Sequence, residues 1–176
     1  MKYASVFALF AVLLAFLATR LGGVWPLLLW PAASFGVVAL AYAGVGPRVF
    51  GKQPDGRLRP WALAALLPYL LLTWATWHLA RKLSREPAYA EVAPGLLVGR
   101  RLLPGELPPG TGAVLDLTSE FAEPEAIRTA CRYVSLPILD ASTLPVGAWP
   151  RCSARWPISC PGRCTSTVPR GMAAPA

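Results

Sequence analysis

Cysteine and histidine are the residues of this chain best suited to chemistry, and their spacing limits what that chemistry is. The chain has four cysteines and a single histidine. Cys152, Cys160 and Cys164 lie close together, but a zinc site needs four well-placed ligands and no further Cys or His lies near them in the sequence. A disulfide cluster is disfavoured because cytosolic cysteines stay reduced. We therefore predict no metal site and no cofactor.

Cys131 and His78, the two remaining residues of this kind, have structural interpretations. Cys131 lies in EAIRTACRY, where it fits a buried residue packed as a small apolar side chain. His78 lies in an apolar run, where an ionisable group is a functional candidate. Because Arg81 follows three residues later, a neutral imidazole at His78 can reach the membrane interface. We predict that neither residue is catalytic.

The last 32 residues, Pro145 to Ala176, differ in composition from the rest of the chain. They hold six of the nineteen prolines, three of the four cysteines and four arginines, with no Lys, Asp or Glu. Selected globular sequence seldom has so uneven a composition. We expect this tail to be disordered.

Three short segments occur in sequence just before the tail, and both their composition and their order are informative. PGLLVGRRLLPGELPPG, AVLDLTSEF and YVSLPILDAS run from Pro94 to Ser142. This series resembles the front half of bacterial membrane-anchored dual-specificity (Cys-type) phosphatases. The resemblance implies a later strand that ends in a His-Cys–five residues–Arg loop. In that loop the Cys attacks phosphorus, while backbone N–H groups and the Arg hold the phosphate oxygens. The only histidine is His78, so we expect the nucleophile Cys and the phosphate-binding Arg to be absent.

A shift of reading frame accounts for the missing loop. With synonymous codons, CTSTVPRGMAAPA (Cys164 to Ala176) read from one base earlier gives VHVHCAPRHGRSG, which contains the family loop. The same shift lets the stretch from Ala148 to Arg163 encode an apolar-periodic segment of the kind that forms the preceding helix. We predict that the frame slips between Thr143 and Ala148. The alternative is a genuine, divergent tail.

Asp140, in LPILDAS, takes its interpretation from the same resemblance. It matches the family's general-acid aspartate, which protonates the leaving oxygen and then activates water against the phosphocysteine. The structural alternative is an Asp that caps a turn or helix through Ser142. Without its nucleophile, the chain as written is predicted to be inactive.

The elements that would position these residues begin with a membrane region. The chain is 55% hydrophobic, and its uncharged runs Tyr3–Thr19, Leu21–Pro47 and Pro60–Ala80 approach or exceed the length of about 20 residues that spans a bilayer. We predict a transmembrane region over 1–80, with two to three helices at about 3–19, 24–46 and 60–80. The alternative for the first run is a cleaved signal peptide.

An incomplete α/β phosphatase-like segment is predicted over 81–144. Strands are predicted at Leu96–Arg100, Ala113–Thr118 and Tyr133–Ile138, with a short helix at Pro124–Arg132. Alternation of strands and helices favours a layered α/β sheet. The central strand and its covering helices are expected to be missing.

The distribution of charged residues along the chain indicates which partners and which cellular location to expect. The net charge is +8, of which the tail contributes +4, and much of the rest flanks the apolar runs. This distribution predicts a lipid bilayer as partner and disfavours nucleic acid; a phosphorylated substrate is expected only of an intact version. We expect an integral protein of the inner (cytoplasmic) membrane with a cytoplasmic C-terminal part. Three crossings divide the basic residues almost equally, whereas a third run that enters and leaves on one side puts every cluster but Arg20 in the cytoplasm.

The alternative function is that of a small integral membrane protein whose basic loops bind lipid or a partner. The loop from Gly46 to Pro60 carries four basic residues and the turn signal Pro-Asp-Gly.

Overall fold

The computed structural model describes residues 2–20, 25–139 and 163–167. The chain divides into two compact units. The helical unit comprises Met1–Gly51 and Leu58–Arg85, and the sheet unit comprises Lys52–Arg57 and Glu86–Ala176. The short segment Lys52–Arg57 therefore belongs to the sheet unit although it lies between two helices of the other.

The helical unit contains three long helices. They are α1 (Lys2–Arg20), α2 (Trp25–Leu40) and α3 (Pro60–Leu83). A π-helical turn at Ala41–Val45 continues α2, and a short 3-10 helix follows at Pro47–Phe50. All three helices are long and apolar enough to cross a membrane, by length and composition. The predicted helices at 3–19, 24–46 and 60–80 are confirmed to within a few residues.

Aromatic side chains form the contact region of the helical unit. The Tyr69 ring meets Phe7 and Phe35 edge-on, with ring centroids 5.6 and 5.8 Å apart. Phe50 is buried against the same tyrosine. The Trp30 indole N–H donates to the carbonyl of Ala64 at 3.1 Å, so its polar atom is satisfied inside an apolar region. Many other large apolar side chains of these helices are exposed, as expected of surfaces that face lipid.

The sheet unit is a five-stranded α/β sheet. Its elements are β1 (Tyr89–Ala93), β2 (Leu96–Gly99), β3 (Thr111–Asp116), α4 (Glu125–Ala130), β4 (Arg132–Ser135) and β5 (Arg163–Thr167). The strand order is β1-β2-β5-β3-β4, and only the β1–β2 pair is antiparallel. Leu102, Val114 and Ile127 form the core that α4 helps to cover. The predicted alternation of strand and helix is present here as β3, α4 and β4.

The structure differs from the predicted elements in two places. A first strand, β1, precedes those predicted, and the central strand expected to be missing is supplied by β5, within the tail. The expectation of a disordered tail is therefore wrong for Arg163–Thr167; the rest of 140–176, including Asp140, lies outside the described residues. The physical reason is that β2 and β3 each present backbone groups that need partners, which a segment rich in threonine can supply.

Candidate functional site at the carboxyl edge of the sheet

The carboxyl ends of four parallel strands meet at one edge of the sheet. Thr167 of β5 pairs with Gly99 on one side and with Asp116 on the other, and Asp116 pairs with Ser135 of β4. Open α/β sheets bind ligands outside the carboxyl ends of their strands. This edge is therefore the candidate site of the sheet unit.

A buried ion pair lies at the centre of this edge. Lys52 Nζ lies 2.6 Å from Asp116 Oδ2, and the two side chains are 0% and 1% exposed. The ammonium also donates to the carbonyl and hydroxyl oxygens of Thr118, at 2.7 and 2.9 Å. Thr118 in turn donates its N–H and hydroxyl to Asp116 Oδ1, and the Tyr133 hydroxyl donates to Oδ2. Every donor and acceptor of the pair thus has a protein partner.

The turn that carries Lys52 is bound to the sheet unit at further points. The predicted Pro-Asp-Gly turn is present, with Gly56 N–H donating to the carbonyl of Gln53. The Gly56 carbonyl accepts the N–H of Glu123 at 2.9 Å, and Arg128 donates to the carbonyl of Asp55 at 3.4 Å. The ion pair is thereby reinforced by bonds to backbone groups.

Burial shifts the titration of this cluster. Burial lowers the pKa of Lys52, and the charge of Asp116 opposes that shift. Burial and then the charge of Asp116 raise the pKa of Tyr133, which keeps its hydroxyl protonated as a donor. Tyr133 therefore remains a hydrogen-bond donor to Asp116.

A second polar cluster follows β2. Arg101 Nε lies 3.3 Å from Glu123 Oε2, its Nη2 donates to the carbonyl of Ala122 at 2.7 Å, and its guanidinium stacks over Phe121. Burial, followed by the charge of Asp116, raises the pKa of Glu123 to about 7, with Arg101 opposing.

The neighbouring arginine is also paired within the chain. Arg100 donates to both oxygens of Glu106, at 3.2 and 2.8 Å. Both arginines that follow β2 thus lie beside a carboxyl group of the protein, Arg100 beside Glu106 and Arg101 beside Glu123.

The residues singled out in the sequence are not brought together here. Asp140 lies outside the described residues, but the chain leading to it runs beside the end of β3. Leu136 donates its N–H to the carbonyl of Asp116, and Ile138 donates to that of Leu117. His78 lies in α3 against Trp77.

Cys131 has the environment of a structural thiol. It packs against the Leu102, Val114 and Ile127 core and donates to the Ile127 carbonyl. Burial and then the charge of Glu123 raise its pKa, which disfavours the nucleophilic thiolate.

The tail contains a Cys and an Arg at the family spacing, contrary to the expectation that both are absent. Cys164 is followed by Arg170 after five intervening residues, the family spacing, although no histidine precedes it. Cys164 is the second residue of β5 and pairs with Leu96 and Ala113, at the amino end of the strand. The loop of the resembled family follows the carboxyl end instead. Cys164 therefore lies at the wrong end of β5 for that nucleophile.

The pairing of Lys52 with Asp116 was not predicted from the sequence, because the two residues are separated by 64 positions. Its only sequence signal was membership of a basic loop.

In the part of the chain that the structure describes, no group of three or more His, Cys, Asp or Glu residues is placed to hold a metal ion. No protein-family model matches the chain, and no solved structure matches it.

Proposed function

We propose that this chain derives from a membrane-anchored, Cys-dependent phosphomonoester phosphatase and is its inactive product, read in a shifted frame beyond Thr143–Ala148. The observation that carries the proposal is the position of β5. In the restored frame the His-Cys pair is encoded by codons that overlap Ser166 to Val168, so the cysteine falls directly after the last residue of β5. The loop encoded in the restored frame would therefore begin at the carboxyl end of β5, a central parallel strand.

The restored loop would supply the chemistry that the described residues lack. Its thiolate would attack phosphorus and release the leaving oxygen, which Asp140 would protonate before activating water to hydrolyse the phosphocysteine. Backbone N–H groups and the loop Arg would hold the phosphate oxygens. The substrate class is a phosphomonoester, of protein tyrosine, serine or threonine or of a lipid.

The two chain segments that make up the sheet unit support the proposal that the C-terminal part is cytoplasmic. Lys52–Arg57 precedes α3 and the chain from Glu86 follows it, yet both belong to one compact unit. Both flanks of α3 then lie on the same aqueous side, so α3 does not complete a crossing, whereas α1 and α2 cross as a hairpin. Every basic residue of 1–85 except Arg20 then shares one side, which the positive-inside rule assigns to the cytoplasm.

The alternative, a membrane protein whose basic loop binds lipid, is weakened by the same contacts. Of the four basic residues in that loop, Lys52 has a fully buried side chain bound to Asp116. A headgroup cannot reach this ammonium without first displacing a buried carboxylate.

Three versions of the full chain test the proposal: the chain as written, a frame-restored chain, and a frame-restored chain with serine in place of the restored cysteine. We expect hydrolysis of an aryl phosphate only by the second. The serine hydroxyl has a much higher pKa than a thiol and is a far poorer nucleophile in this loop. Absence of activity from the restored chain would favour the membrane-protein alternative.

A further inference from the structure

One face of α3 exposes large apolar side chains along the length of the helix. Trp61, Leu72, Leu79 and Leu83 are all exposed. Successive members of this set are 11, 7 and 4 residues apart, and each of these intervals returns to the same face of an α-helix. The helix is also long and apolar enough to cross a membrane, by length and composition. This face, which we call the α3 stripe, is therefore suited to contact with acyl chains.

The carboxyl end of the α3 stripe is accompanied by two exposed cations. Lys82 lies in the last turn of the helix, and Arg85 follows the C-cap residue Ser84. Within the part of the chain that the structure describes, neither cation makes a side-chain hydrogen bond or ion pair, unlike the arginines that follow β2. From Arg81 to Glu86 the chain carries three cations and one carboxylate. The charge of Lys82 and Arg85 is thus accessible to an external anion.

An aromatic side chain at the same end of α3 indicates the depth of the lipid headgroups. The Trp77 ring meets the His78 ring edge-on at 4.8 Å, and the guanidinium carbon of Arg81 lies 6.0 Å from the Trp77 centroid. Tryptophan rings concentrate at the level of the headgroups in membrane proteins. Lysine and arginine near a helix end extend to this level while their aliphatic stems lie along apolar surface. The last turns of α3 therefore combine side chains suited to acyl chains with side chains suited to phosphate.

A phospholipid matches this combination better than a soluble anion or an acidic protein surface does. The side chains of Leu79 and Leu83 are 59% and 73% exposed, and an anion without an apolar part would leave them in water. A phospholipid has both a phosphate group and acyl chains. Because the headgroup of phosphatidylcholine carries its own cation, the local excess of positive charge favours a lipid with net negative charge.

We propose that the carboxyl end of α3, formed by Leu79, Lys82, Leu83 and Arg85, is a docking surface for an anionic phospholipid. The leucines contact the acyl chains, and the two cations bind the phosphate group. All four residues belong to the helical unit. The proposal therefore goes beyond the proposed function and does not depend on it.

The first arm of the test measures lipid binding to the full chain in detergent by native mass spectrometry. Dioleoyl phosphatidylglycerol and dioleoyl phosphatidylcholine are the probes, and the apparent Kd of the first bound lipid is measured for each. We expect tighter binding of phosphatidylglycerol. Lys82→Gln/Arg85→Gln should weaken that binding at least about fivefold, because both cations are lost, and should leave phosphatidylcholine binding within about twofold. Lys82→Arg/Arg85→Lys keeps both charges and should retain the preference.

Arg48→Gln/Arg59→Gln is the matched control for charge. Both arginines are exposed and belong to the same helical unit, so this variant loses the same net charge at a different place. It should bind phosphatidylglycerol within about twofold of the unmodified chain. Equal weakening in the two glutamine variants would show a response to net charge alone and would overturn the proposal, as would equal binding of the two lipids by the unmodified chain.

The second arm tests whether the surface binds a lipid or only a phosphate group. Leu79→Ser/Leu83→Ser changes two exposed side chains and should weaken phosphatidylglycerol binding at least about fivefold, since the acyl chains lose their contacts. Millimolar glycerol 3-phosphate, which has the phosphate without acyl chains, should not displace the lipid from the unmodified chain. Displacement by glycerol 3-phosphate, or unchanged affinity in the serine variant, would overturn the assignment of a lipid.

Discussion

Glu123 is a buried carboxyl group whose environment makes the sheet unit sensitive to pH. Its side chain is 2% exposed and lies beside Arg101. Its backbone N–H donates a hydrogen bond to the carbonyl of Gly56. Burial and the nearby charge of Asp116 raise its pKa from 4.5 to about 7. The folded protein therefore retains a proton here under conditions in which the unfolded chain has lost it.

This retention predicts how stability varies with pH. Between the unfolded pKa of 4.5 and the folded pKa of about 7, the contribution of Glu123 to the free energy of unfolding should fall as pH rises, by up to about 3 kcal/mol. Glu123→Gln should remove that part of the slope because an amide does not titrate. Hydrogen exchange of sheet-unit peptides across this range measures the effect, with the exposed Glu125→Gln as control. An unchanged slope in Glu123→Gln would contradict the assignment.

The buried ion pair between Lys52 and Asp116 is a contact that the sequence alone does not predict. A basic residue between two apolar runs fits a topology signal, and nothing local indicates that its ammonium is buried against Asp116, 64 positions away. By contrast, the structural role of Cys131 has a local pattern, a small residue at the end of a short helix with an apolar face; the side chain is half-buried and packs against the core.

At the level of elements, the Pro-Asp-Gly turn depends on a close approach that only glycine permits. Gly56 has φ +81°, and a Cβ there would lie 2.5 Å from the Tyr133 hydroxyl and 2.8 Å from Cζ. Tyr133 cannot swing aside without losing its bond to Asp116. Tyr133 therefore connects the turn to the end of β3, since it packs against Gly56 and donates to Asp116.

Gly110 supplies a matched comparison for this turn. Its φ is +79°, and no described heavy atom lies within 4 Å of where its Cβ would be. Alanine at either position should cost about 1–2 kcal/mol from the left-handed backbone alone. Gly56→Ala should cost about 1–3 kcal/mol more, since it also separates Tyr133 from a buried carboxylate. Denaturant unfolding of both full-length variants measures the difference; equal losses would show that the contact with Tyr133 is unimportant.

The elements differ in how far their sequence predicts them. The three helices were predictable because long uncharged runs between charged residues have few alternatives in a bilayer. β1 was missed because all five of its residues are exposed, so it has no alternating apolar face. β5 was missed because composition suggested disorder, whereas its structure depends on pairing with β2 and β3 on both sides. Long-range pairing of this kind leaves little trace in a local pattern.

At the level of the whole molecule, the membership of Lys52–Arg57 in the sheet unit constrains membrane topology. A straight α3 that crossed the bilayer would separate this turn from the chain after Glu86 by about 30 Å of hydrocarbon. The buried Lys52–Asp116 pair is therefore our reason for proposing that α3 does not complete a crossing.

Single-cysteine labelling in a background without the native cysteines tests this topology. We expect a membrane-impermeant maleimide, added outside intact spheroplasts, to label Arg20→Cys and to leave Asp55→Cys and Arg85→Cys unlabelled until the membrane is opened. This pattern follows from the proposed topology, in which α1 and α2 cross the membrane and α3 does not. Labelling of Asp55→Cys and Arg85→Cys from opposite sides would show that α3 crosses and that the ion pair does not form in the bilayer.

The reading frame is the central claim, and one measurement tests it most directly: the rate of aryl phosphate hydrolysis by the purified chain before and after the frame is restored. We predict no hydrolysis by the chain as written, with or without Asp140→Asn. The restored chain should be active and should lose roughly a hundredfold in turnover with Asp140→Asn, the usual scale of general acid catalysis. If the unmodified chain hydrolyses phosphomonoesters and Asp140→Asn abolishes that activity, the frame account is wrong and the nucleophile lies elsewhere in the chain.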